Sequence, residues 1–397
     1  GNVGIGETNP QVNLHISSTF PKIRFDDTDV SGTSYVGPEG SVMRIEADST
    51  NVDSNSAVGV FVDGGQTWNS TGLSFTGSVA NISEVYIDPT DNTNILVSSN
   101  QGFFRSTNSG NTFTRSFTGN VKDIKFKPGS PDTIYLSTNN AFYISTDNGI
   151  TFSQPSTGLP AGMRRSVIGV TPANSNYVYL LIIDNSANLM GIYRSTNSGQ
   201  SFTRRDNGTD ILESGQGNFD LELEVSPTDA NVVYTGCLNI WRSFNGGSSF
   251  SKLNSWSNPA GSSYTHADIH QIRQFGSDVF AMTDGGVYRS GNLGNTFTNL
   301  TAGAQIGQFY RIAVSSQSSA QIVGGLQDNG GQTRSGNQWK NFYGADGMDG
   351  GIDPFDSNIR YGFIQNGGGL YFTDNAGNSL QGSINRPSGE SGNWITP

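Results

Sequence analysis

Apolar and polar residues alternate along this chain with a period of two, in short runs broken every few residues by Gly, Asn, Asp or Pro. In "VYIDPTDNTNILVSS", Val85 and Ile87 alternate with Tyr86 and Asp88 before a Pro/Asp turn, and a second apolar run follows. That is the pattern of half-buried strands joined by tight turns, not of a helix. The same strand–turn–strand figure returns in "IKFKPGSPDTIYLST", "VIGVTPANSNYVYLL", "LEVSPTDANVVYTG" and "GGIDPFDSNIRYGF". Each time an aromatic strand and a polar turn come next.

That polar turn is the second marker. The pattern S-x-[DN]-x-G-x-[ST]-F occurs as "STNSGNTF" from Ser106, "STDNGITF" from Ser145, "STNSGQSF" from Ser195, "SFNGGSSF" from Ser243 and "SGNLGNTF" from Ser290. Successive copies lie 39, 50, 48 and 47 residues apart. Looser copies begin at Phe61 and Thr373, and the 83 residues between Ser290 and Thr373 leave room for a degenerate unit around "TRSGNQWKNF". A period of 40 to 50 residues with four strands per unit predicts a β-propeller. The turn residues have a folding role: Ser and Asx side chains bond nearby amides, Gly takes a positive φ, and the final Phe anchors the turn. The Arg before the Ser recurs in step at Arg105, Arg194, Arg242 and Arg289. No catalytic arginine cluster is built from residues copied in this way.

Composition narrows the function classes. Of 397 residues, 52 are Gly, and 22 basic residues stand against 33 acidic ones for a net charge of −11. Without a run of Lys or Arg there is no electrostatic footprint for nucleic acid. No apolar run approaches the roughly 18 residues of a membrane span, and the opening "GNVGIGETNP" has neither the charged nor the apolar region of a leader. The lone Cys237 reads as a buried strand residue and excludes an intrachain disulfide or a cysteine zinc cage. No cofactor is expected.

These turns resemble those of the Asp-box (bacterial neuraminidase repeat) propellers, a group that includes sialidases, xyloglucan-cleaving propeller glycosidases and the sortilin ectodomain. The resemblance runs from about Gly65 to Pro397 and implies an all-β fold, a propeller of about seven blades. Residues 1 to 64 fall outside the repeat. Their "NVGIGETNP", "NLHIS" and "PKIRFDDTD" resemble segments of phage tail fibres and of bacterial surface fibres, which implies a short β-rich fibre-like module that winds as a homotrimer or attaches to a fibre. The expected domains are therefore 1–64 and 65–397. Because the last unit stops at "SGNWITP", the chain is either a segment of a longer protein or a ring closed by the strand around Thr67 and Trp68.

Candidate chemistry lies where the units depart from one another. "SSYTHADIHQI" places His266, Asp268 and His270 on one face of a segment entering a strand. "VGGLQDNGGQTR" carries Gln327, Asp328 and Asn329, and "NFYGADGMDGGIDP" carries Asp346 and Asp349. Together with "MTDGGVYRS" and "GQFYRIAV", these stretches resemble a group of bacterial Asp-box propellers labelled glycosyl hydrolases, in which His266, Asp268, His270, Asp284 and the Gln327–Asn329 turn would line one end of the axis. Asp284 sits in "TDGGVYR", which resembles, one residue shorter, the "TDVGGAYR" loop bearing a catalytic Asp in the xyloglucan-cleaving enzymes. Paired carboxylates among Asp284, Asp328 and Asp346 would serve a glycosidase. Tyr264, Tyr310, Trp339, Phe342 and Tyr343 are candidate sugar-stacking rings, set against a core role, and Glu222 and Glu224 read as a solvated blade edge. The leading expectation is an extracellular fibre or cell-surface protein whose propeller binds a glycan or a surface receptor. The alternatives are a glycoside hydrolase and a sortilin-like peptide binder.

Overall fold

The structure is a computed structural model that describes residues 3–5, 14–16, 23–26, 33–36, 57–61, 68–75, 80–88, 90–301, 307–390 and 392–394. Most of the fibre-like stretch, and with it the trimer that it implies, lies outside the described residues. Within it, short strands pair as Val3–Ile5 with Leu14–Ile16 and Ile23–Asp26 with Thr33–Val36, while Ala57–Phe61 pairs with Trp68–Ser74 across the expected join at 64/65.

From Ile82 to Asn385 the chain has the β-propeller fold. Among the described residues there are seven consecutive meanders, six of four strands and one of three, each running inner strand to outer strand in chain order. The three-stranded blade, Val121–Lys127, Ser130–Thr138 and Phe142–Ser145, gains its outer position from a bridge between Ile144 and Ser153. The degenerate unit expected near "TRSGNQWKNF" is the sixth blade, where strands Gly330–Ser335 and Gln338–Tyr343 meet at a short turn with Gly336 at φ +60°.

The chain divides into two compact units, residues 1–168 with 196–202, and residues 169–195 with 203–397. In the first, Leu96, Phe103, Val121, Ile124, Ile134 and Leu136 form a buried cluster between the first two blades, with the Phe103 ring edge-on to Phe152. In the second, Tyr234, Ile240, Ile269, Ile272, Val279 and Ala281 do the same for the fourth and fifth blades. Burying such side chains stabilises by roughly 1.5–3 kcal/mol each, which offsets the entropy of ordering so many turns. The sixth and seventh blades are also joined by the fully buried Arg360, whose guanidinium donates to the carbonyls of Ser357 and Arg334, at 2.9 and 3.0 Å, and to Ser335 Oγ, at 2.9 Å.

The recurring turn has one geometry. Ser243 Oγ accepts the Gly247 N–H at 2.9 Å and donates to Asn245 Oδ1, which accepts the Ser249 N–H at 2.9 Å. Ser106, Ser145 and Ser290 hold Gly110, Gly149 and Gly294 in the same way, and Thr373 holds Gly377. Two successive residues take left-handed backbone, such as Ser109 at φ +56° and Gly110 at +82°, so the second is Gly in every copy. The Ser hydroxyl and the Asx oxygen of each such turn are thus spent on amides of the turn itself.

The glutamates read as a solvated edge are instead interblade anchors. Glu222 accepts from Arg273 at 2.8 Å, and Glu224 accepts the Gln274 N–H at 3.1 Å and lies 3.5 Å from Arg273. Alternation alone put both on one face; what covers that face is the inner strand Ile269–Phe275 of the next blade.

Candidate functional site

In a meander, the turn after strand two and the connection entering strand one lie at one end of the blade, and the turn after strand three lies at the other. The recurring turn follows strand three. The polar candidate residues belong to the opposite end, at the entries and second turns of the fifth to seventh blades of the second unit. Two connections there are long, with 17 residues in 205–221 and 16 in 253–268, against three in 344–346.

Connection 253–268 ends by alternation, with Thr265, Ala267 and Ile269 buried and His266, Asp268 and His270 less so. The shared face expected for the three polar residues is present, although the strand proper begins only at Ile269 because Asp268 takes left-handed backbone at φ +63°. His266 Nε2 donates to the Asp328 carbonyl at 2.9 Å, which ties the fifth blade to the turn of the sixth. Its ring lies against Gly285, where an added Cβ would collide with it. His270 Nε2 lies 2.6 Å from Asp284 Oδ1. The Asp284 hydrogen bond holds the His270 imidazole above its usual pKa despite desolvation, with lesser help from the charges of Asp220 and Asp268.

Asp284 follows strand Asp278–Thr283, and Gln327, Asp328 and Asn329 make the equivalent turn in the sixth blade, with Asp328 at φ +60°. Asn329 Nδ2 reaches the Asp284 carbonyl at 3.4 Å. The Asp328 N–H donates to Asp346 Oδ1 at 2.9 Å, and Gln365 holds the Asp346 backbone, its N–H donating to the Asp346 carbonyl at 3.1 Å and its Oε1 accepting the Asp346 N–H at 3.2 Å. Burial, followed by the charges of Asp284 and Asp346, pushes the Asp328 carboxyl up to about 7.

These turns surround a cleft of about 260 Å³. Asp284, Gln327, Asp328 and Asn329 line it, together with Gly285, Thr301, Gly307, Gln308 and the ring of Phe219. Phe219 is 56% exposed and meets His270 edge to face, with centroids 4.9 Å apart. The lining thus offers carboxylates, amides, a hydroxyl and one flat apolar surface, without a lysine or arginine among the described residues.

Other expected residues lie elsewhere. Tyr343 is buried, stacked on Tyr371 at 4.9 Å, with its hydroxyl donating to the Phe363 carbonyl; it is a core residue, as is Phe342. Tyr264 packs edge-on against Tyr288. Trp339 is exposed on an outer strand against Phe309, and the Tyr310 hydroxyl accepts from Trp394 Nε1 at 3.2 Å. Asp349 pairs with Arg311 at 3.1 Å between inner strands. Phe219, Gln216, Asp220, Thr301 and Gln308 were missed because they sit in connections that no repeat marks. The unequal spacing of the repeats was the available signal.

The chain is similar in structure to a GH74 xyloglucanase from Xanthomonas campestris, with 16% identity and a TM-score of 0.61, the match covering 86% of this chain and 58% of that one. It is also similar to a GH74 enzyme from Niastella koreensis, with 14% identity, a TM-score of 0.59 and coverage of 85% and 56%. It spans a little over half the length of either enzyme, and at these identities the likeness establishes the propeller fold. No family model matches the chain, and no curated protein matches it in sequence.

Proposed function

We propose that this propeller is an extracellular carbohydrate-recognition protein of the Asp-box kind that seats a sugar in the cleft between Asp284 and Asp328. The observation that carries the reading is the lining. Carboxylate, amide and hydroxyl groups suited to sugar hydroxyls converge beside one exposed ring, Phe219, suited to an apolar sugar face. The likeness to xyloglucan-cleaving enzymes adds a fold in which such sites are built, and fold alone does not fix function. On the same reading, residues 1–64 form a fibre-like stalk that presents the propeller as a homotrimer or on a fibre at a surface, and glycans or surface receptors are its partners. A glycan array probed with the soluble chain tests the reading. Binding to defined oligosaccharides that is lost in Phe219→Ala and Asp284→Asn is the expected result, and absence of binding across neutral and charged glycans overturns it.

A second reading, a glycoside hydrolase, is favoured by one further observation. Burial holds the Asp328 carboxyl well above the usual carboxylate range, while its neighbour Asp284 faces the same cleft and is hydrogen-bonded by His270. In that reading Asp328 protonates the glycosidic oxygen, and Asp284 acts as base toward water or as nucleophile, with Asp346 holding the Asp328 backbone. Release of reducing ends from β-glucan and xyloglucan oligosaccharides, falling as pH rises through about 7, is the expected outcome. Binding without any turnover eliminates this reading and leaves the first intact.

A further inference from the structure

Behind the cleft, a single side-chain amide joins the two long connections. Gln216 Nε2, from connection 205–221, donates to Asp220 Oδ2 at 3.1 Å and also to Asp268 Oδ1, from connection 253–268. Asp220 is fully buried, and its other oxygen accepts from the weak thiol donor of Cys237 at 3.4 Å. The residue before Asp220 is Phe219, and the residue after Asp268 is Ile269, whose N–H donates to the Cys237 carbonyl at 2.7 Å. The bridge therefore sets the Phe219 side of the cleft wall against the strand that carries His270.

The titratable groups facing the two carboxylates are Cys237 from the fourth blade, His266 from the same connection as Asp268, His270 on the strand, and Asp284 in the turn beyond. Asp328 in turn feels Asp284. None of these is a lysine or arginine. Two carboxylates held by one amide in a desolvated setting do not both ionise easily. Burial pushes Asp220 up to about 6, against the hydrogen bond from Gln216, and burial and then Asp284 raise Asp268. The charge of Asp268 adds to the rise at Asp220.

We propose that the Asp220–Gln216–Asp268 bridge is a proton-operated latch that regulates the cleft. While Asp220 keeps its proton, the bridge holds the two connections and the Phe219–His270 contact together. When the proton leaves, two anions oppose each other across one amide and the wall loosens. Gln216, Asp220 and Asp268 are positioning residues on this account, acting on a sugar through Phe219 and His270. The regulatory consequence rests on the reading of the cleft as a ligand site, whereas the latch itself is measurable without a ligand.

The test is hydrogen–deuterium exchange of the full chain, corrected for intrinsic rates, at about pH 5 and about pH 8, on either side of the titration. Peptides covering 205–221 and 253–268 should lose protection by about tenfold at the higher pH, a change of about 1.4 kcal/mol in opening, while the recurring turns stay unchanged. In Asp220→Asn, whose amide keeps a hydrogen-bonding partner for Gln216 and has no proton to lose, the difference should vanish. Asp268→Asn, at a less buried position, should give the same result if Asp220→Asn does not fold. Equal protection at both pH values in the native chain, or a pH difference that persists in the folded variant, overturns the latch. A latch that works in a chain binding no glycan overturns only the reading of the cleft.

Discussion

The two ends of strand three in these blades put the same residue types to opposite uses. At the outer turn, Ser243, Asn245 and their counterparts bond amides of their own turn, so their polar groups are already satisfied and the geometry repeats from copy to copy. At the other end, Asp284 and His270 bond each other across strands, His266 reaches the carbonyl of another blade, and Asp220 and Asp268 compete for one amide. The first arrangement fixes a fold. The second leaves carboxylates desolvated, with raised pKa values, in a cleft and behind its wall. Repetition marks what holds the blades, and departure from repetition marks what they hold.

Substitutions at the two ends should separate cleanly. The largest effect is expected from Asp284→Asn, which should lower glycan turnover, or binding where there is none, by on the order of 10²-fold or more, with an unchanged melting temperature. A drop in melting temperature that accounts for the loss would erase the distinction. Ser243→Ala should do the reverse, costing about 1–3 kcal/mol in denaturant unfolding by orphaning the buried Gly247 N–H while leaving the cleft's affinity intact. Gly285→Ala tests the border between the two ends: its Cβ meets the His266 ring, so both stability, by about 1–3 kcal/mol, and ligand affinity should fall.

A pH series sharpens the comparison further. Asp220 and Asp328, at about 6 and about 7, lie above an unfolded carboxylate, so the folded chain keeps protons that the unfolded chain releases. Their contribution to stability is complete below about pH 4 and is lost as pH rises through 6 to 7. The urea midpoint should therefore fall between about pH 5 and pH 8, and Asp328→Asn should flatten the upper part of that fall. The smallest effect is expected from Asp147→Asn. Hydrogen bonds from Thr151 hold the Asp147 carboxylate down to about 2, but Asn does the same work in the copies at Asn108, Asn245 and Asn292, so no change in melting temperature should be resolved.

The fold was legible because the Pro/Asp turns and the Ser–Asx–Gly turns mark strand ends independently and keep the same phase. The His266, Asp268 and His270 face was legible for the related reason that alternation carries on into the connection. Alternation could not tell a covered face from a bare one, so Glu222 and Glu224 were read as solvated although Arg273 and two backbone amides of the next blade meet them. Nor could it separate Tyr343, stacked within the core, from a ring offered to a sugar. Phe219 and Asp220 were hidden for a different reason. They act through contacts about 50 residues distant in sequence, from Phe219 to His270 and, through Gln216, from Asp220 to Asp268, and no local pattern encodes such a distance.

A tandem array evolves by gaining and losing whole copies, because each copy contacts chiefly its neighbours. The copies beginning at Ser106 and Ser195 differ at two of eight positions. Both lie upstream of Gln216, and every residue of the cleft and its latch lies between Gln216 and Asp346. An exchange between those two stretches would duplicate or delete blades while passing the entire cleft intact to the descendant, so copy number and ligand choice can be inherited separately.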